Sequence, residues 1–170
     1  MTDEDTWKVT GYNVPSGFRY EQSGKILKIN SRVSSWGIWN LGRSDAQLEI
    51  RIPGDQIIDT LEIDMGAGNL TVEDGVIKCK NLEVNCGMGN CSIRADIRKE
   101  GSIDGGVGNI DLTLAGDIQD FDYEIDCGIG SVDIGDEHYS NLGTRKTIDN
   151  KASRKLDIDC GVGSVNIGFE

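Results

Sequence analysis

The sequence predicts an all-β fold: a parallel β-solenoid with coils of about twenty residues and an aromatic N-terminal cap. Three observations predict it. A twelve-residue pattern recurs five times. Each copy alternates apolar and polar residues with the period of a half-buried strand. Glycine is abundant, 23 of 170 residues, against two prolines, which favours strands and tight corners over helices.

The copies are Leu61-Glu-Ile-Asp-Met-Gly-Ala-Gly-Asn-Leu-Thr-Val72 and its counterparts beginning at Leu82, Gly101, Tyr123 and Leu156. Their first glycines fall at 66, 87, 106, 128 and 161, so the spacings are 21, 19, 22 and 33. In the first copy Leu61, Ile63 and Met65 alternate with Glu62 and Asp64. After the Gly-x-Gly step the apolar phase shifts, to Ala67 and then Leu70 and Val72. A phase shift at paired glycines marks a bend, because glycine tolerates φ > 0. Each unit therefore reads as strand, glycine corner, strand and looser return. Twenty residues at about 3.3 Å each make a loop of about 66 Å, a coil with two or three short sides stacking about 4.8 Å from the next.

One unit cannot bury its own inner face, but five stacked units can. The expected inner columns are Ala67, Met88, Val107, Ile129 and Val162, and Leu70, Cys91, Ile110, Val132 and Val165. Asn69, Asn90, Asn109, Ser131 and Ser164 stand at the corner, placed to bond along the stack as amide ladders do.

The ends of such a stack need cover. Residues 1–47, which hold Trp7, Trp36 and Trp39, are expected to form the capping segment, and residues 48–170 the repeats, with a polar insert at 136–155; all of it makes one domain. Leu48-Glu-Ile-Arg-Ile52 is expected as an irregular coil ahead of the regular ones. The far edge is covered by the insert or pairs with another molecule, giving self-association through the stack end.

Charge narrows the partners. The net charge is −12, and residues 56–135 alone carry sixteen acids against five bases. An acidic middle argues against nucleic acid, whose phosphates need a basic face. No apolar run approaches the ~20 residues of a membrane span. The start Met1-Thr2-Asp3-Glu4-Asp5 does not read as a signal peptide.

Five cysteines raise the question of metal or disulfides. Cys86, Cys127 and Cys160 share one repeat position, Cys91 lies in an apolar column, and alternation points Cys79 inward as well. They read as core packing, with Cys127 and Cys160 placed to pair if their coils are adjacent. Without a Cys-x-x-Cys, and with His138 the sole histidine, no zinc site is expected. Outward, Glu62, Glu83, Glu124 and Asp157 form one acidic column, and Asp64, Asp104, Asp126 and Asp159 the next. Stacked like charges repel, so they must be solvated, paired or used. Used, they would take divalent cations such as calcium or a basic partner surface. Arg145, Lys146, Lys151, Arg154 and Lys155 form the local basic cluster, a candidate partner loop. Gly105-Gly-Val-Gly-Asn-Ile-Asp111 lacks the aspartate of the calcium nonapeptide at Ile110. The Gly-x-Gly steps lack the third glycine and the helix of a phosphate loop.

The motif apolar-x-apolar-x-x-Gly-x-Gly-[Asn/Ser]-apolar-x-apolar, preceded by Leu48-Glu-Ile-Arg-Ile-Pro53 and ended by Gly161-Val-Gly-Ser-Val-Asn-Ile-Gly-Phe169, resembles the bacterial "putative adhesin" family of the toast-rack type. The likeness spans roughly residues 35–170. It implies a β-strand-repeat domain carried on envelope proteins, outside the cytoplasm and associated with envelope-stress systems. It supplies no catalytic residues and no cofactor. The expected function is a non-catalytic binding or scaffold domain for a protein, glycan or cell-wall partner. The alternatives are a cation-binding or envelope-stress signalling module, and a polysaccharide-active β-helix enzyme. That enzyme needs two carboxylates in different surroundings, whereas the acids here recur in matching ones.

Overall fold

Apolar side chains point inward at every second residue of the repeat strands, and equivalent residues of successive copies lie side by side. The computed structural model describes residues 8–12, 19–30, 47–51, 56–71, 76–140 and 143–170. The strands are β1 (Lys8–Tyr12), β2 (Arg19–Ser23), β3 (Ile26–Asn30), β4 (Gln47–Arg51), β5 (Ile58–Thr71), β6 (Ile77–Leu114), β7 (Phe121–Ile134), β8 (Glu137–Ser140), β9 (Thr144–Ile148) and β10 (Arg154–Phe169). A 3-10 turn, Ile118–Asp120, leads into β7 and is capped by Asp117.

The eight-stranded sheet runs β2-β3-β5-β6-β10-β7-β8, with β9 also beside β7; β1 and β4 form a separate antiparallel pair. The repeat strands pair in parallel, Leu61 with Leu82 and Cys160 with Cys127. β6 holds two repeats. Its residues 101–114 lie along residues 82–95: Asn109 bonds Asn90, the backbones at Gly87 and Gly106 come close together, and the Ala115 amide donates to the Ala95 carbonyl.

The strand order differs from the sequence order. β10, the fifth copy, sits between the third and fourth: Ile158 pairs with Ile103 on one side and Ile125 on the other. The in-register repeat makes this possible, because each copy presents the same ladder and any copy fits beside any other. The insert ends in β8 and β9, which run antiparallel along β7, Tyr139 opposite Val132 and Arg145 opposite Asp126. The insert thus occupies the far edge of the stack.

At the near edge the structure corrects the expectation for Leu48–Ile52. The strand beside β5 is β3, with Leu27 opposite Leu61 and Ile29 opposite Ile63, and β2 closes the hairpin outside it. Residues 47–51 pair with β1 instead. Leu27-Lys28-Ile29-Asn30 is a half-copy of Leu61-Glu62-Ile63-Asp64, lacking the glycines that mark the other five. The expected cap residues Trp7, Trp36 and Trp39 lie outside the described residues.

A second correction concerns the corner. Met88, Val107, Ile129 and Val162 face outward, 59, 51, 56 and 45% exposed, and Ala67 is exposed too. The inward positions are the residues before and after the corner, such as Cys86 and Cys91 or Cys127 and Val132. The second glycine of each corner explains this. Gly108 and Gly163 adopt φ of 146° and 149°, which turns the chain so that the residue between the glycines lies on the outside of the bend.

The core is continuous through the stack. Ile63, Val84, Ile103, Ile158 and Ile125 form one buried column, and Cys91, Ile110, Val165 and Val132 another. Each fully buried aliphatic side chain contributes about 1.5–3 kcal/mol. Where a copy has glycine in a core column, neighbours fill the gap: Leu156 reaches over Gly101, and Ile110 over Gly105.

Candidate functional site

The strands carry outward columns on both sides of the glycine corner. The first holds Glu62, Glu83, Ser102, Asp157 and Glu124; the second Asp64, Asn85, Asp104, Asp159 and Asp126. The eight carboxylates expected on one face are brought together there. At the ends of the columns cations answer them: Lys28 pairs with Glu62, and the Arg145 guanidinium donates to Asp126 at 3.0 and 2.6 Å. In the middle Asp104, Asp159 and Asp126 follow one another on adjacent strands. Partial desolvation and those two neighbouring carboxylates raise the Asp159 pKa above the ordinary range, against the pull of Arg145.

Past the first corner glycine comes the apolar column, Ala67, Met88, Val107, Val162 and Ile129 in stack order. Over the glycines 66, 87 and 106 of the first three copies runs an open cleft of about 460 Å³, lined also by Asp64, Met65, Asn85, Cys86 and Asp104. Past the second glycine is the corner ladder. Asn90 Nδ2 donates to Asn69 Oδ1 at 3.3 Å, Asn109 Nδ2 to Asn90 Oδ1 at 3.2 Å, and Ser164 Oγ to Asn109 Oδ1 at 2.8 Å. The expected ladder is thus formed from Asn69 through Ser164, with Ser131 in register beside Ser164.

A further polar column went unread in the sequence. Ser92, Asp111, Asn166 and Asp133 lie in register, and His138 of β8 pairs with Asp133. Asn166 Nδ2 donates to Asp111 Oδ1 at 2.7 Å. The signal was the polar residue that follows the corner's apolar one in each copy.

The basic insert residues do not form one patch. Arg145 is engaged with Asp126, and Lys146 lies 4.4 Å from the Tyr139 ring centre. Arg154 stacks 4.9 Å over Phe121 and donates to Asp120 and to the Ala115 carbonyl. Lys155 stands in β10 opposite Glu100 and Asp122, and Lys151 sits in the return loop with φ of 57°. Asn150 and Asp122 hold that loop. Asp122 Oδ1 accepts from the Asn150 and Ala152 amides at 2.8 and 3.0 Å, and Asn150 Nδ2 donates to the Phe121 carbonyl at 2.7 Å.

All five cysteines are buried and free. Burial pushes the Cys79 thiol up to about 12; burial, with Cys127 beside it, pushes Cys160 to about 11. At neutral pH both are thiols, acting as small apolar side chains. Among the described residues no group of three or more His, Cys, Asp or Glu is arranged to hold a metal.

Comparison with known proteins gives two findings. The family model described as Toastrack DUF4097 matches residues 4–113, ending where the strand order departs from the sequence order. The fold is similar to that of a putative cell adhesion protein from Clostridium sporogenes ATCC 15579, with a TM-score of 0.61 at 21% identity, covering 90% of this chain and 76% of that one. No curated protein matches the chain.

Proposed function

The chain belongs to the toastrack family, and from that premise we propose that it is a non-catalytic binding and scaffold domain of a bacterial cell-envelope protein, working outside the cytoplasm. In this reading each copy of the repeat is one coil of about twenty residues, and the N-terminal aromatics cover the first of them. The observation that carries the reading is the register of the outward columns. Five copies present the same residue types in line, so the surface is one repeated strip rather than a pocket with a singular residue. The carboxylates recur at equivalent strand positions; cations beside Glu62 and Asp126 and the raised pKa of Asp159 set some of them apart, but these differences are spread along open columns rather than gathered as an acid and a base around one pocket. The name of the Clostridium sporogenes protein agrees with a role at the cell surface.

The test is co-sedimentation of the purified domain with isolated cell walls and with their glycan strands. Saturable retention supports a binding domain; no retention by walls, glycans or envelope proteins reduces it to a spacer. Turnover of a polysaccharide that Asp126→Asn abolishes would replace the reading with an enzyme. A second reading, divalent cation binding, would draw on the unbroken run Asp104–Asp159–Asp126, which stands as a row along the strands and not as a gathered ligand cluster. Calorimetry with millimolar calcium decides it: no heat, together with an unchanged melting point, rejects it.

A further inference from the structure

We propose that the exposed apolar column, with the carboxylate column beside it, is a docking surface for a basic amphipathic α-helix of a protein partner. The inference rests on the binding-domain reading and names the partner's chemistry.

The position between the two corner glycines faces solvent, so nothing in the core requires it to be apolar. All five copies nevertheless carry an apolar residue there. Of the six large hydrophobic side chains that stand exposed among the described residues, four belong to this one column: Met88, Val107, Val162 and Ile129. Single exposed hydrophobics are ordinary, but a contiguous row rimmed by polar residues marks an interaction surface. The outward columns on both sides are polar, the aspartates on one and the asparagine–serine ladder on the other.

Charge selects the occupant. A second copy would bring a chain of net charge −12, and with it another carboxylate column, against the first. Arg145 and Arg154 of the basic insert are already engaged with Asp126 and Asp120 of their own chain. An anionic membrane surface is repelled in the same way. A cationic partner is attracted, and over the first three copies the cleft along the glycines leaves room for lysine or arginine side chains to reach Asp64 and Asp104.

Spacing selects its shape. Neighbouring strands lie about 4.8 Å apart, close to the 5.4 Å pitch of an α-helix. A helix laid along the stack sets about one turn over each strand, and the four steps from Ala67 to Ile129, about 19 Å, take about 13 residues. Apolar residues at i, i+3 or i+4, and i+7 would follow the column, with basic residues along the flank toward the aspartates. An extended chain repeats on one face about every 6.6 Å and loses register by the third strand.

The probe is a synthetic 14-residue leucine–lysine peptide of helical periodicity. Its control has the same length and charge, with two leucines replaced by proline to prevent a helix. Fluorescence anisotropy at physiological salt is expected to show saturable 1:1 binding of the helical peptide and at least tenfold weaker binding of the control. The triple variant Val107→Ser, Val162→Ser, Ile129→Ser, with an unchanged melting temperature, should weaken binding at least tenfold. Val162→Lys alone should weaken it as well, and Asp104→Asn with Asp159→Asn should flatten its salt dependence. Equal affinity for the control, or no effect of the serine variant, overturns the proposal. So does column-dependent binding to vesicles of phosphatidylcholine and phosphatidylglycerol, which would assign the surface to membranes, or column-dependent dimerisation in sedimentation, which would assign it to a second copy. If the domain ignores the peptide but still binds cell walls, this inference alone falls. If it binds neither, the binding-domain reading falls with it.

Discussion

A single methyl group at Gly163 would sit 1.7 Å from the Gly108 carbonyl oxygen of the next strand, and one at Gly130 as close to that of Gly163. The second corner glycine is therefore fixed twice, by φ and by the neighbouring backbone. Gly163→Ala should cost about 3 kcal/mol or more, read as a large drop in the denaturant midpoint or as loss of soluble protein. Gly143, at φ of 69° and with nothing within 4 Å of where a methyl would stand, isolates the conformational part; Gly143→Ala should cost only about 1 kcal/mol. At Asp159 the effect has the opposite sign. Folding raises its pKa, so the folded chain holds the proton more tightly than the unfolded one. Stability then falls as pH rises from the unfolded value through the folded one, and stays lowered above it. Asp159→Asn should raise the melting temperature at pH 7 by about 1–3 °C, with the gain vanishing below about pH 4. A gain that persisted at pH 3 would trace to something other than the charge. Alternation made the inward residues and the buried cysteines legible in the sequence. The residue between the corner glycines was not legible: an apolar side chain there reads as core, and only the turn at the second glycine puts it outside.

At the scale of elements, the two edge hairpins show how far pattern reading reaches. The insert stood out as a polar interruption of the repeat, so its place at the far edge was among the outcomes the sequence offered. β3 was missed because Leu27-Lys28-Ile29-Asn30 carries two alternations and no glycine corner, too short a signal to separate from chance. How the insert is tied down was not legible either, since Asp122 and Asn150 lie 28 residues apart. Asp122 accepts two backbone amides of the return loop, so Asp122→Ala leaves both to water. It should cost about 1–2 kcal/mol in equilibrium unfolding and speed hydrogen exchange first in residues 149–153. Uniform loss of protection across the sheet would contradict a local tie.

For the whole molecule, the order of strands matters more than their number. In a simple stack each copy leans on the one before it, and removing the last trims an edge. Here β7 pairs with β10 and the edge strands β8 and β9, while β6 pairs with β10 on that side. A chain cut after residue 150 should lose β7 as well as β10. Limited proteolysis should then cleave near residues 115–120 and leave a fragment ending close to Leu114. Protection of residues 121–134 in that truncated chain would show that β7 docks directly on β6. The order could not be read from the sequence because every copy offers the same register; the one physical hint was the spacing of 33 residues before the last copy, long enough to cross over β7 and return.

The placement of β10 also sets how the molecule carries a mechanical load. A strand at the margin of a sheet unzips one hydrogen bond at a time when its end is pulled. β10 is bonded along both sides, to β6 over Lys155–Phe169 and to β7 over Arg154–Ile167. A pull on the chain beyond Phe169 must shear two ladders at once, whereas a pull from the N-terminal side meets the five-residue pair of β1 and β4 first and then the five-residue hairpin of β2 and β3. Tethered between two points, the domain would yield from its N-terminal side and hold at its C-terminal one.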